Sequence, residues 1–310
     1  MQRIQYHQYG GPEVMRLEDF EPARPGRGQV LVRVRAAAAN PMDWGLRSGA
    51  MKMVTGRTFP RGLGHDFSGV IEAVGPDVTR LGVGDDVLGG ASIKASGAFG
   101  DMVVADVKAV VSKPANLTFE EAAALPTVGL TAFQALTKKG RLQPGQAVFI
   151  NGCLGGVGRA AAQLALARGA LVGGSCRDTA AQDARDLGID PIVGFGFDPE
   201  ELNGRFDLVI DTAHTLSDQG AKKLLKPGGR IVGLHPTPAT FVKAALPGPF
   251  HVLLAQAVPE DLEEVARAAE QGALRVPIAR TVRLTEAMEA LTELEREGTP
   301  KGGKLIITTG

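Results

Sequence analysis

Three glycines, Gly152, Gly155 and Gly158, are spaced GxxGxxG within the stretch "VFINGCLGGVGRAAAQLALARGA". An apolar run precedes them and an alanine-rich helical segment follows, which is the context that a phosphate-binding strand-to-helix turn requires. Glycine permits the tight turn, the close approach of backbone N–H groups to a pyrophosphate and the packing of helix on strand. The pattern, which also includes Gly156 and Val157, predicts a dinucleotide-binding turn. A glycine-rich turn that binds nothing is the alternative.

The next apolar run, "ALVGGSCRD", ends where dinucleotide-binding folds distinguish NAD from NADP. Ser175 stands there in place of an acidic residue, and Arg177 follows two positions later. An acidic side chain would accept hydrogen bonds from the adenosine ribose, whereas serine and arginine can donate to a 2′-phosphate. These residues predict NADPH as the cofactor. Two alternatives stay open: Asp178 could pair with Arg177 or contact a ribose, and Arg177 could be a solvated loop residue.

The elements that would position these residues follow from the hydrophobic pattern. From Gln146 onward, short apolar runs alternate with helical stretches, which predicts βαβ units and a doubly wound parallel sheet. The runs read "AVFIN", "ALVGGS", "PIVGF", "FDLVIDT" and "GRIVGLH". Ligands of open parallel sheets lie at the carboxyl ends of the strands, so Thr212 and Leu234 are predicted to face the cofactor. His214 and His235 could also touch the ribose, or could be partly exposed loop residues.

A different rhythm covers the part from Gln29 to about Val111, where short β-branched runs alternate with glycine-rich turns. This spacing predicts a compact antiparallel β domain. The tail holds two helical segments, "EDLEEVARAAEQG" and "LTEAMEALTELEREG", before a closing strand, "KLIITT". The chain has 310 residues, which fits two domains or one domain interrupted by another. The predicted fold class is α/β.

Composition excludes several classes of function. The 34 basic and 34 acidic residues give a net charge of zero, so no basic face is expected for nucleic acid. The two cysteines, Cys153 and Cys176, form no CxxC or similar pair, and they predict neither a disulfide framework nor a structural zinc site. No apolar run reaches the roughly 18 residues of a membrane span, and the N-terminus lacks an apolar signal region. We expect a cytoplasmic protein with no nucleic-acid or membrane partner.

A series of ordered motifs resembles the medium-chain dehydrogenase/reductase superfamily across almost the whole chain. They are "YGGPEVMRLED", "ANPMDWGLRSG", "LGHDFSGVIEAVGPDV", "GDDV", "GAFGDMVVAD", "LTFEEAAALPTVGLTAFQAL", "GGVG" and "GGKLII". Within it, the chain resembles the zinc-free, NADPH-dependent quinone oxidoreductases, related to zeta-crystallin and the alkenal reductases. The resemblance implies a GroES-like catalytic domain over residues 1–117 and 258–310, and an inserted Rossmann NADP(H)-binding domain over 118–257. It also implies a cleft between them, where nicotinamide meets substrate, and a homodimer.

The resemblance makes the metal question specific. Aligned on the shared motifs, Asn40, His65 and Thr127 occupy the three ligand positions of the zinc-dependent alcohol dehydrogenases. A catalytic zinc needs three protein ligands and one open position, so a single histidine does not hold it. The cysteine-rich lobe that carries a structural zinc in that branch is also absent, because "LGGASIKASGAFG" is short and contains no cysteine. We therefore predict no metal.

Without a Lewis acid, alcohol oxidation is not expected, and acceptors already poised for hydride fit better. Asn40, which the resemblance places on the cleft floor, is the first catalytic candidate because its amide could donate to a carbonyl oxygen. Asp43 and Trp44 follow on the same segment, and Trp44 could wall a flat substrate or simply pack in the core. His65 is either structural or a proton relay or substrate contact. Thr131, placed beside the nicotinamide, could contact the ring amide or ribose or bond back to its own helix.

The predicted function is NADPH-dependent hydride transfer, without zinc, to a quinone or an α,β-unsaturated carbonyl. An enoyl-thioester reductase is one alternative, and it would need a basic groove for the phosphates of coenzyme A or a carrier. A noncatalytic NADPH-binding or sensor protein is the other. The physiological acceptor and the proton donor stay open at this stage.

Overall fold

The computed structural model describes residues 1–235, 237–298 and 302–309. Contacts divide the chain into two units. The first consists of Met1–Thr127, Ala257–Glu270 and Val276–Gly310, and the second of Val128–Gln256 and Gln271–Arg275. The second unit is thus inserted in the sequence of the first. The assignment of residues 1–117 and 258–310 to a catalytic domain, and of residues 118–257 to an NADP(H)-binding domain, stays a prediction.

The strands and helices are numbered in chain order. The strands are β1 (Gln2–Tyr6), β2 (Arg16–Asp19), β3 (Gln29–Ala38), β4 (Arg61–Gly62), β5 (Asp66–Val74), β6 (Asp86–Gly90), β7 (Met102–Asp106), β8 (Val110–Ser112), β9 (Ala147–Asn151), β10 (Leu171–Ser175), β11 (Ile192–Val193), β12 (Phe206–Asp211), β13 (Leu225–Gly233), β14 (Phe250–Val252), β15 (Ile278–Arg283) and β16 (Lys304–Thr308). The α-helices are α1 (Pro41–Arg47), α2 (Lys52–Thr55), α3 (Phe119–Ala123), α4 (Pro126–Gln134), α5 (Gly156–Ala167), α6 (Ala181–Asp186), α7 (Asp218–Leu224), α8 (Pro238–Ala245), α9 (Pro259–Glu270) and α10 (Ala287–Glu297). Over the described part of the chain, every helix is too short or too polar to cross a bilayer.

The first unit is built mainly on antiparallel strands, as its sequence pattern predicts, and only β15 and β16 pair in parallel among the strands described. One sheet has the order β2-β1-β4, and the larger one has the order β15-β16-β3-β5-β6-β8, with β7 also pairing with β3. Alternate residues of β3, such as Val30, Val32 and Val34, are fully buried and face the unit's apolar core. Strand β16 runs antiparallel to β3 and lies between β3 and β15, so the last strand of the chain is an interior strand of this sheet.

The second unit holds a parallel sheet of order β11-β10-β9-β12-β13-β14. Counted from β9 within the unit, this is the order 3-2-1-4-5-6 of a dinucleotide-binding fold, with the strand order reversing between β9 and β12. The predicted α/β fold class is therefore confirmed. One local prediction was wrong in extent, because only Ile192 and Val193 of "PIVGF" form a strand.

Candidate functional site

The glycine turn lies between the end of β9 and the start of α5. Gly152 has a φ of +84°, a left-handed conformation that favours glycine. A Cβ atom there would lie 2.7 Å from Thr212 Oγ1, and one at Gly158 would lie 2.1 Å from the carbonyl oxygen of Gly152. Gly155 differs, because a Cβ atom there would meet only that same oxygen, at 3.4 Å. Packing thus requires glycine at 152 and 158, whereas at Gly155 the protein leaves open space that a ligand can approach.

The first turn of α5 presents unused hydrogen-bond donors. The first bond of the helix is donated by the N–H of Arg159 to the carbonyl of Gly155, at 2.7 Å. The N–H groups of Gly156, Val157 and Gly158 have no backbone acceptor among the residues that the structure describes. Together with the positive end of a 12-residue helix, they form an environment suited to a pyrophosphate.

Ser175 has a different partner from the one that the sequence suggests. Its side chain is fully buried, its hydroxyl donates to Asn151 Oδ1, and its oxygen accepts the N–H of Gly152 at 3.1 Å. A hydroxyl has one hydrogen to donate, so in this structure Ser175 holds the turn from within and is not offered to a phosphate. The side chain of Arg177 is exposed and makes no hydrogen bond or ion pair within the described ranges, whereas its backbone carbonyl accepts from the N–H of Ala180 at 2.9 Å. The side chain is therefore the available group for a 2′-phosphate.

The ends of β9 and β12 are tied together beside this turn. Asn151 Nδ2 donates to Asp211 Oδ1 at 2.6 Å and to Thr215 Oγ1 at 3.0 Å. Thr212 Oγ1 lies within hydrogen-bond distance of the carbonyl oxygens of Asn151, at 2.8 Å, and Gly152, at 3.1 Å. Thr212 is thus placed at the point where the strand order reverses. Leu234, directly after β13, is half-buried at the same edge of the sheet.

Thr131, His214 and His235 are the remaining positions considered near the cofactor, and they differ in burial and in hydrogen bonding. The hydroxyl of Thr131 is half-buried and makes no bond back to its own helix among the described residues, unlike Thr137, which bonds the carbonyl of Phe133 at 2.8 Å. His214 and His235 are exposed, with ring centroids 5.0 Å apart. Both histidines therefore lie in exposed loops, which is the alternative that the sequence offered to a contact with the ribose.

A buried polar cluster forms in the first unit around the carboxylate of Asp66, which is fully buried. Asp66 accepts hydrogen bonds from Thr127 Oγ1 at 2.6 Å, from the Thr127 N–H at 3.1 Å and from Asn40 Nδ2 at 2.9 Å. The ammonium of Lys304 lies 4.0 Å from Asp66 Oδ2 and donates to Asn40 Oδ1. Sequence reasoning missed Lys304, although a lysine that opens the apolar run "KLIITT" was a usable signal.

Asn40 is fully engaged within this cluster. Besides Asp66, its Nδ2 contacts the carbonyl of Ala38 at 3.2 Å, so both amide hydrogens have protein acceptors. Its own N–H donates to Asp43 Oδ2 at 2.8 Å, which makes Asp43 the third residue of a capping box at the start of α1. Trp44 is half-buried and packs against the core of the first unit. A donor role for Asn40 toward a substrate, which stays a prediction, requires the loss of one of these bonds.

Burial shifts the ionisable groups of the cluster. It raises the pKa of Asp43 to about 8, with the negative charge of Asp66 adding to the effect, and Asp43 Oδ1 has no partner among the described residues. Burial lowers the pKa of His65, whose Nδ1 is likewise buried without a described partner. Burial also lowers the pKa of Lys304, against the opposing attraction of Asp66 and Asp43.

Comparisons with known proteins agree with this geometry. Residues 26–115 match the alcohol dehydrogenase GroES-like domain, and residues 187–307 match the zinc-binding dehydrogenase domain. A quinone oxidoreductase of Pseudomonas aeruginosa is 32% identical over 94% of this chain and 95% of its own length. The chain belongs to the medium-chain dehydrogenase/reductase superfamily, in its quinone oxidoreductase branch.

Two other known proteins are similar to this one over most of the chain. The mitochondrial NAD(P)H oxidoreductase RTN4IP1 of Mus musculus is 30% identical over 93% of this chain and 84% of that protein. The solved structure of the quinone oxidoreductase from Coxiella burnetii has a TM-score of 0.87 and 31% identity, and it covers 99% of both chains. The resemblance seen in the ordered motifs is confirmed, and the chain is an oxidoreductase of this type.

The name of one matched domain raises the question of a zinc ion. The residues at the three ligand positions do not fit one. Thr127 donates its hydroxyl to Asp66, the Oδ1 atom of Asn40 accepts from Lys304, and only His65 offers an imidazole. The Lys304 ammonium also supplies a positive charge that repels a second cation. Over the described ranges, no group of three His, Cys, Asp or Glu side chains is arranged to hold a metal.

The raised pKa of Asp43 predicts a pH dependence of stability. Between about pH 4 and pH 8 the folded chain holds a proton that the unfolded chain releases, so the contribution of Asp43 to stability falls as pH rises through this window. Asp43→Asn should therefore gain stability relative to the wild type from pH 5 to pH 8, as measured by urea unfolding at each pH. The exposed Asp19→Asn is the control, with a flat difference expected. A flat difference for Asp43→Asn would contradict the assignment.

Proposed function

We propose that the chain is an NADPH-dependent oxidoreductase that transfers a hydride to a quinone or an α,β-unsaturated carbonyl without a metal. The observation that carries this proposal is the dinucleotide turn, whose three free N–H groups are followed by the exposed, unpaired Arg177 at the end of the next strand. The quinone oxidoreductases among the relatives support the acceptor class.

The residues present fit a nicotinamide dinucleotide. The N–H groups of Gly156, Val157 and Gly158 would hold the pyrophosphate, and the guanidinium of Arg177 would bind the 2′-phosphate. Thr131, Thr212 and Leu234 stay predicted contacts of the nicotinamide half. When bound, the dinucleotide supplies the hydride. Because the turn is tied to Asn151 and Ser175 by hydrogen bonds, these donors are held in place before a ligand arrives.

The acceptor class follows from the donor set in the first unit. With a lysine ammonium where a zinc ligand set would be needed, no Lewis acid is expected to polarise an alcohol, so acceptors that take a hydride unaided fit better. Asn40, Asp43, Trp44 and His65 stay the predicted catalytic residues. The hydrogen bonds of Asn40 and Asp43 within the cluster support a positioning role for both, since neither offers a free hydrogen-bonding group at the surface.

Steady-state turnover tests this proposal. We expect protein-dependent oxidation of NADPH, followed at the absorbance of reduced nicotinamide, with 1,4-benzoquinone or a naphthoquinone as acceptor, and slower oxidation of NADH. An alkenal and a crotonyl thioester are assayed as acceptors in parallel. Tight NADPH binding without turnover of any acceptor would refute the proposal in favour of a noncatalytic role. Turnover of the thioester alone would favour the enoyl-thioester alternative.

Arg177 gives a sharper test of cofactor choice. Arg177→Ala should raise the KM for NADPH at least about tenfold, because a charge-assisted bond of this kind contributes roughly 1.5–3 kcal/mol. The KM for NADH should stay nearly unchanged, since NADH lacks the 2′-phosphate. Arg185→Ala, another exposed arginine of the same unit, is the matched control and should leave both values unchanged. Equal losses with both cofactors would overturn the assignment of Arg177.

Three accompanying predictions concern the surroundings of the protein. The composition and hydrophobic pattern predict a cytoplasmic location and the lack of nucleic-acid or membrane partners, and the family resemblance implies a homodimer. They stay predictions. The size of the purified protein in solution, measured by light scattering, would test the homodimer.

A further inference from the structure

A cavity of about 580 Å³ in the second unit has a strongly basic lining. Its charged or ionisable lining residues are Lys222, Lys226, Arg230 and His251, and the backbone of Gly228 forms part of its wall. No carboxylate belongs to the lining over the described part of the chain. In a protein with zero net charge, this is a local excess of positive charge.

The cavity is separate from the dinucleotide turn. Arg230 is level with Leu208, near the start of β12, and Lys226 lies in the irregular first part of β13. The dinucleotide turn instead follows the carboxyl ends of the strands, where Asn151 pairs with Asp211. The basic cavity therefore lies at the opposite edge of the parallel sheet.

Only part of the positive charge in the cavity is neutralised by the protein. Lys226 Nζ pairs with Asp207 at 2.8 Å. Lys222 and Arg230 have no carboxylate partner among the residues that the structure describes. Lys222 lies in the last turn of α7, where its positive charge interacts favourably with the helix dipole. Arg230 lies on a strand and has no such stabilising interaction with a helix end. Lys222 Nζ lies 5.3 Å from the centroid of the Phe250 ring, a cation–π contact that does not neutralise its charge. Lys222 and Arg230 thus carry positive charge that no described carboxylate neutralises.

Arg230 is held in place and in turn orients His251. Its Nη1 donates to the carbonyl of Lys139 at 3.2 Å and lies 3.3 Å from His251 Nε2. Because a guanidinium only donates, Nε2 accepts and the ring hydrogen of neutral His251 is on Nδ1, where it is a further donor. Burial lowers the pKa of His251, as do the charges of Arg230, Lys139 and Arg141, so the imidazole stays neutral.

We propose that this cavity binds a phosphate group, carried by a small molecule, at a second anion site of the protein. A guanidinium, an ammonium and an imidazole N–H are the donors that a phosphate dianion accepts from, and a guanidinium can bind phosphate through two parallel bonds. Gly228 leaves the wall open, because a Cβ atom there would meet nothing within 4 Å. The volume is within the range of small-molecule sites, so a phosphate ester fits as well as the free ion.

Calorimetric titration of the full chain tests the site, with inorganic phosphate and glycerol 3-phosphate as probes at constant ionic strength. Lys222→Gln/Arg230→Gln should weaken binding of both probes at least about tenfold relative to the wild type. Lys223→Gln is the matched control, since Lys223 is adjacent, pairs with Glu200 and does not line the cavity. It should bind like the wild type. Circular dichroism and NADPH oxidation, expected unchanged, show that the double variant is folded.

The two probes distinguish the sources of the phosphate. Tighter binding of the ester would identify an organic phosphate as the ligand, and equal affinities would identify the free ion; both results support the site. Equal phosphate affinity in the wild type and the double variant would overturn the proposal, because the binding would then lie elsewhere, for example at the start of α5. Lack of binding of either probe at about 10 mM would also overturn it.

Discussion

The buried carboxylate of Asp66 is the charge on which the first unit's site depends. A fully buried carboxylate is costly unless donors and an opposite charge compensate it, and Thr127, Asn40 and Lys304 supply both. These partners come from three distant parts of the sequence, and Lys304 reaches the site only because β16 pairs with β3. The same contacts hold Asn40, and with it the start of α1, which carries Asp43 and Trp44. The closing strand is therefore part of the site as well as of the sheet.

The second unit uses the same kind of buried polar contact to the opposite effect. Ser175 and Asn151 tie the strand ends together and hold the glycine turn, but they leave the N–H groups at the start of α5 free. The cluster around Asp66 consumes its donors internally, whereas the turn keeps its donors available. For this reason, the geometry indicates the class of cofactor more directly than it indicates the class of hydride acceptor.

The elements that depend on local pattern were predictable from sequence, and the contacts that depend on strand pairing were not. Glycine spacing and the change of hydrophobic rhythm predicted the turn and both kinds of sheet. Whether the Ser175 hydroxyl meets a ligand or a neighbour depends on its pairing opposite Asn151 across β9 and β10. The contact between Lys304 and Asn40 spans 264 residues, and no local pattern encodes it. Arg230 and His251 likewise meet only because β13 and β14 lie side by side.

We propose that an internal lysine, Lys304, provides the positive charge of the Asp66 site and that hydride transfer proceeds without a metal. Elemental analysis of protein produced in zinc-supplemented medium, combined with quinone turnover before and after chelation, tests this most directly. The account predicts far less than one zinc per chain and the same turnover in the presence of the chelator. One zinc per chain, with turnover lost on its removal and restored on its return, would contradict it.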